Sequence, residues 1–157
     1  MLKINTKASV MLSLVISGAF FAVLAAVAVF LPGIVNAMLR FPGEITSRVE
    51  ITSTDTLLAT IAAYVILVVA LLANIMLFSL LLEVKKDNVF SKKCIGLIRG
   101  ISWCSVAVGV MFGLLTYYFT LSSVVAFAAL FLGLCVRVVK NVIEKATEIK
   151  SENDLTV

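Results

Sequence analysis

The chain has 157 residues, of which 62% are hydrophobic and 14% charged, with a formal net charge of +4. Soluble domains average about 45–50% and about 25% on these two measures, so a soluble globular domain is excluded. Histidine is absent, which removes the commonest general base and metal ligand, and topology plus attraction to anionic lipid accounts for the basic balance without nucleic acid.

The first uncharged run covers residues 8–39 and predicts a membrane-spanning helix over about 9–31. Its apolar stretch Val10–Leu31 is longer than the roughly 7–15 residues of a secretory signal, so it is read as a retained span. Pro32-Gly33 is expected to end it. The following loop, 32–56, holds both prolines (Pro32 and Pro42) and the acids Glu44, Glu50 and Asp55, which lack a partner base and are read as a solvated face. A second uncharged run, 56–82, predicts the second span at 57–82. Asn74 is its most polar side chain and is expected to hydrogen-bond a neighbouring helix rather than hold a substrate.

Residues 83–96 form the next loop. Asp87-Asn88 reads as a turn, Val89 and Phe90 as side chains dipping at the interface, and Ser91 as the N-cap of a helix starting at about Lys92. Lys92, Lys93 and Arg99 are the expected contacts to lipid phosphates. Residues 100–136 then run without a charge. As one helix they would measure about 55 Å, too long for a hydrocarbon core of about 30 Å. They are expected to fold at Thr120-Leu121-Ser122-Ser123 into two spans, 97–119 and 124–140, with Arg99 and Arg137 snorkelling to the interface. The fourth helix continues to about residue 150. In this tail, 141–157 with its approach from Arg137, Val139, Val142, Ile143, Ala146 and Ile149 share one face by helical spacing. Two readings stay open for that stripe: packing on the 83–100 segment or the membrane surface, or docking of a cytosolic protein. The terminal Asp154, Leu155 and Val157 suit carboxylate or short-motif capture.

Eleven Lys and Arg residues fall on the N-terminal stub, the second loop and the tail, against Arg40 and Arg48 in loop 32–56. The positive-inside rule therefore puts both termini in the cytoplasm. The fold class is all-α: a polytopic membrane protein of four transmembrane helices, the last extended into the cytoplasm. Small residues stripe every helix, notably Gly18, Ala22 and Ala26 on the first and Ser105, Gly109 and Gly113 on the third; these serve packing within one four-helix bundle or a homo-oligomer. Cys94, Cys104 and Cys135 have no metal spacing and read as apolar packers. The predicted bilayer core carries no charge and no proline, against a proton relay or a broken transporter helix. No phosphate loop, metal motif or nucleophile elbow appears. The expectation is no catalytic residue, no metal, no cofactor and no enzymatic activity.

The stretch Asp87-Asn88-Val89-Phe90-Ser91-Lys92 with Arg99 and Trp103, and the ending from Arg137 through Lys140-Asn141-Val142 to Asp154-Leu155-Thr156-Val157, resemble domain-of-unknown-function family 2975. Val89 stands where the family usually has proline. The resemblance implies a four-span protein of bacterial cytoplasmic membranes, with no settled activity, often encoded beside a small helix-turn-helix regulator. Two functions follow as expectations. One is a membrane protein whose cytoplasmic face binds a protein partner, such as that transcription regulator. The other is a small transporter, efflux or immunity-type protein for an apolar ligand or peptide.

Overall fold

A computed structural model describes residues 6–40, 52–86 and 90–154. All of its regular structure is helical: α1 (Thr6–Arg40), α2 (Ser53–Lys85), α3 (Lys92–Leu115) and α4 (Ser122–Asp154). Each is long and apolar enough to cross a membrane. The helices run alternately up and down, and each packs on its neighbour in chain order, with the closest seam between α3 and α4. Among the described residues α1 and α4 make no close backbone approach. Two ends follow from this order. The basic end holds the start of α1, the α2–α3 turn and the end of α4; the opposite end holds the α1–α2 connection and the α3–α4 turn.

The start of α3 matches its sequence; Asp87, Asn88 and Val89, the expected turn and interfacial residue before it, lie outside the described residues. Ser91 Oγ accepts the Cys94 N–H at 3.2 Å, and α3 begins at Lys92. The hairpin at the opposite end also matches closely: a turn at 116–121 leads into α4, and Ser123 Oγ donates to the Thr120 carbonyl at 2.7 Å.

The end of α1 differs from the sequence expectation. Pro32-Gly33 does not stop the helix, which continues through Pro32 to Arg40. A proline lacks the N–H that would bond the carbonyl four residues back. Here that carbonyl is Ala28 O, and Tyr64 of α2 donates its hydroxyl to it at 3.3 Å. A side chain on the adjacent helix thus replaces the missing backbone donor, one of the ways transmembrane helices tolerate proline. The helix beyond Pro32 is also the best-packed part of α1: Leu31, Val35 and Leu39 recur every fourth residue and are buried with Ala59 of α2, Leu115 of α3 and Phe119. The 32–56 loop therefore shrinks at both ends, since α2 already starts at Ser53. Asp55, expected on a solvated loop, lies in the first turn of α2, where its carboxylate accepts the Thr52 N–H at 3.1 Å. It also lies 3.4 Å from the Tyr118 hydroxyl, which donates to it across to the α3–α4 turn. Glu44 and Glu50 lie outside the described residues.

Three polar or small-residue contacts join the seams. Ser17 Oγ donates to Asn74 Oδ1 at 3.0 Å, and Asn74 Nδ2 donates back to the Ser17 carbonyl at 3.2 Å, clamping α1 to α2. Ser102 Oγ donates to the Gly133 carbonyl at 2.8 Å, joining α3 to α4. Beside it the backbones meet so closely that a Cβ on Gly109 would lie 2.7 Å from Leu130 Cγ, and one on Gly133 3.3 Å from the Ser102 carbonyl. The predicted small-residue faces of α3 and α4 are thus in use at Gly109 and Gly133. The stripe on α1 is not: Gly18, Ala22 and Ala26 are exposed, and a Cβ on Gly18 would meet nothing within 4 Å.

Candidate functional site: the basic end

At about 1.5 Å per residue, α2 and α4, each of 33 residues, measure about 50 Å, against about 30 Å of hydrocarbon. The surplus of α4 gathers with the last turn of α2 and the start of α3 at the basic end, and there the charged side chains pair across helices. Glu83, buried near the end of α2, accepts from Lys93 Nζ at 2.5 Å and ties α2 to α3. Arg99 of α3 lies 3.6 Å from Glu144 of α4, which also takes Lys140 one turn back. The hydrogen bond from Lys140, helped by its charge and that of Arg99, holds the Glu144 carboxyl below the ordinary glutamate range. Farther out, Lys150 Nζ stands 5.5 Å above the Phe90 ring, so the tail of α4 runs beside the α2–α3 turn.

Between α3 and α4 these residues enclose a pocket of about 420 Å³ lined by Arg99, Ser102, Trp103, Arg137, Lys140 and Asn141. Arg137 caps the Trp103 ring at 5.4 Å. Three cations therefore face one cavity, and Glu144 is the carboxylate that balances Arg99 and Lys140. Arg137 has no carboxylate partner among the described residues.

The residues singled out from the sequence are distributed as follows. Of the three expected lipid-phosphate contacts, Lys92 is exposed, Arg99 faces the pocket and Lys93 is engaged by Glu83. Of the tail stripe, Val139 and Ile143 line an apolar groove of about 360 Å³ shared with Val84 of α2 and Cys94 and Ile98 of α3. Ala146 is half-buried, while Val142 and Ile149 are 63% and 60% exposed. Asp154 ends α4; Leu155 and Val157 lie outside the described residues. Cys94 is buried as expected of a packing residue, whereas Cys104 is half-buried and Cys135 exposed. The sequence marks Arg137 as a snorkelling anchor but does not join it into a pocket with Trp103, Lys140 and Asn141. The signal was available: once residues 100–136 fold back on themselves, their flanking arginines must end at the same level.

At the opposite end, an apolar cleft of about 370 Å³ lies where α1 and α4 fail to meet, bounded by residues such as Leu24, Ile34, Ile66, Phe112 and Val125.

A protein-family model described as "Protein of unknown function (DUF2975)" matches residues 37–157. No curated protein matches, and no solved structure does.

Proposed function

This chain belongs to the DUF2975 family, and from its geometry we propose that it is a non-enzymatic membrane protein whose basic end faces the cytoplasm and receives a protein partner. The observation that carries this reading is on the tail of α4. Val142 and Ile149 are 63% and 60% exposed in a segment whose other residues are mostly Lys, Glu, Thr and Asn. They lie on one side of the helix by their spacing, with the half-buried Ala146 beside them, while Ile143 lines the groove toward α2 and α3. An apolar row beyond the charged boundary of a span is a surface that water solvates poorly and a partner helix would cover. Within the spans, Ser17, Asn74 and Ser102 spend their hydrogen bonds on neighbouring helices, which supports a structural rather than a catalytic membrane core. The partner class implied by the family resemblance is a small helix-turn-helix regulator.

The test is binary binding of that regulator to the full chain in detergent, with V142K/I149K as the variant. Both positions are exposed, so the fold is expected to survive. The reading requires binding by the intact chain and at least tenfold weaker binding by the variant. Equal binding by both, or binding by neither, ends it.

A second reading, transport or extrusion of an apolar molecule, is favoured by the cleft between α1 and α4. Filling it with Ala63→Phe should then change cellular sensitivity to a membrane-active compound. Unchanged sensitivity across a broad panel would count against it.

A further inference from the structure

We propose that the cavity between α3 and α4 is a binding site for the phosphate of an anionic phospholipid, held by Arg99, Arg137 and Lys140. The site shares no lining residue with the partner surface: Val142 and Ile149 do not line it.

Charge is the first support. Three cations line the cavity, one carboxylate answers two of them, and Arg137 is left with an aromatic ring. Such a site has net positive charge to neutralise. A guanidinium presents paired N–H donors that match two phosphate oxygens, and Lys140 adds a point charge. A zwitterionic lipid offers the same phosphate, but its choline cation is repelled by this wall, so an anionic headgroup is preferred. At about 420 Å³ the cavity falls in the range of small-molecule sites, roughly 300–1,000 Å³, and admits a phosphate together with its ester substituent.

Position is the second support, and it selects a lipid over a soluble phosphate. The cavity sits where the uncharged stretch 100–136 meets its flanking arginines, the level at which headgroups lie. Arg99 and Trp103 share a face of α3 with Val110 and Leu114, which are 53% and 65% exposed and lead away from the cavity toward the opposite end. On α4, Arg137 shares its face with Leu134, which is 60% exposed. Helical spacing therefore runs an apolar track from the cavity along both helices. A phosphate in the cavity with acyl chains on that track satisfies the polar wall and the apolar one together. Basic pockets between transmembrane helices are known to take such headgroups.

Trp103 is the only tryptophan in the chain and lines the cavity; it is also 58% exposed, so general lipid contact quenches it too and the readout is the difference between two lipids that carry the same quencher. The full chain in neutral detergent would be titrated with phosphatidylglycerol or phosphatidylcholine carrying the same brominated acyl chains. The expected result is half-maximal quenching by phosphatidylglycerol at a concentration at least fivefold lower than by phosphatidylcholine. Arg137→Gln should reduce this preference by about fivefold, the scale for one cation at a membrane surface. Lys85→Gln, which removes a charge from the same end outside the cavity, should change it less than twofold. Inorganic phosphate at millimolar concentration should leave it in place. Equal quenching by the two lipids overturns the proposal. So does a preference that survives R137Q, one that K85Q abolishes equally, or one that inorganic phosphate removes, the last assigning the site to a soluble anion. Far-ultraviolet circular dichroism of each variant separates loss of the site from loss of the fold.

Discussion

Tyr64→Phe tests whether a hydroxyl on α2 replaces the backbone donor that Pro32 removes from α1. The hydroxyl reaches Ala28 O at 3.3 Å, longer than the roughly 2.5–3.0 Å usual for an O–H···O bond. Interhelical hydrogen bonds in membranes average about 0.6 kcal/mol and reach about 1.7. This acceptor has lost its intrahelical donor, so removing the hydroxyl strands a carbonyl in lipid, and the cost belongs toward the upper part of that range, about 1 kcal/mol. The substitution changes no apolar contact of the ring. Restoring the backbone donor should abolish the effect. In a Pro32→Ala background, the N–H of residue 32 can bond Ala28 O directly, and Tyr64→Phe should then cost only a few tenths of a kcal/mol. The double-mutant cycle should therefore show a coupling of roughly 0.5–1 kcal/mol. Reversible unfolding in mixed micelles, followed by circular dichroism, supplies the four free energies. Additive effects would refute the reasoning and leave Tyr64 as an ordinary interfacial aromatic.

Three further outcomes are expected from the same unfolding measurement. Asn74→Ala breaks both bonds of the clamp to Ser17, whereas Ser17→Ala breaks only the one its hydroxyl donates and leaves the residue-17 carbonyl to accept from Asn74 Nδ2; Asn74→Ala should therefore cost about 1 kcal/mol, Ser17→Ala less, and the double variant little more than Asn74→Ala alone. Gly109→Leu should destabilise by about 1–3 kcal/mol, because even a Cβ there would lie 2.7 Å from Leu130 Cγ and 3.1 Å from its backbone nitrogen; Gly113→Leu, with open space around its position, should be close to neutral. Glu83→Gln should cost about 1 kcal/mol or more by removing a buried carboxylate from the pair with Lys93, whereas Lys93→Gln, which removes the cation bonded to that buried carboxylate, should cost at least as much.

Membership, fold class and helix number were legible because each rests on a local property. Uncharged runs give the spans, and a serine before a lysine-led apolar segment gives the start of α3, as the Ser91–Cys94 bond shows. The expectation that Asn74 hydrogen-bonds another helix was likewise readable from polarity alone, although its partner Ser17 was not, since a serine among many carries no mark of the helix it faces. What failed was the end of α1. A proline is a stop only when the orphaned carbonyl has no other donor, and the donor here sits 36 residues away on another helix. The same distinction explains the small-residue stripes. Spacing alone cannot separate Gly109, which admits Leu130, from Gly18, which faces outward.

The candidate site was illegible for a related reason that bears on how this protein uses its length. Arg99 and Arg137 looked like independent anchors because each ends an uncharged run. Folding that run into the closest-packed pair of the molecule places them across one seam. The seam is held by Ser102, Gly109 and Gly133, so the spacing of the cations is set by backbone contact inside the membrane rather than by the charged groups themselves. By contrast, α1 is tied chiefly to α2 and leaves a cleft toward α4. A rigid α3–α4 hairpin fixes the phosphate pocket and the tail face together, because both are carried by consecutive turns of α4. A ligand that moved Arg137 relative to Arg99 would therefore act directly on the helix that carries Val142 and Ile149. That coupling requires Gly133→Leu, which pries the seam apart, to weaken lipid preference and partner binding in the same variant, whereas V142K/I149K should affect partner binding alone.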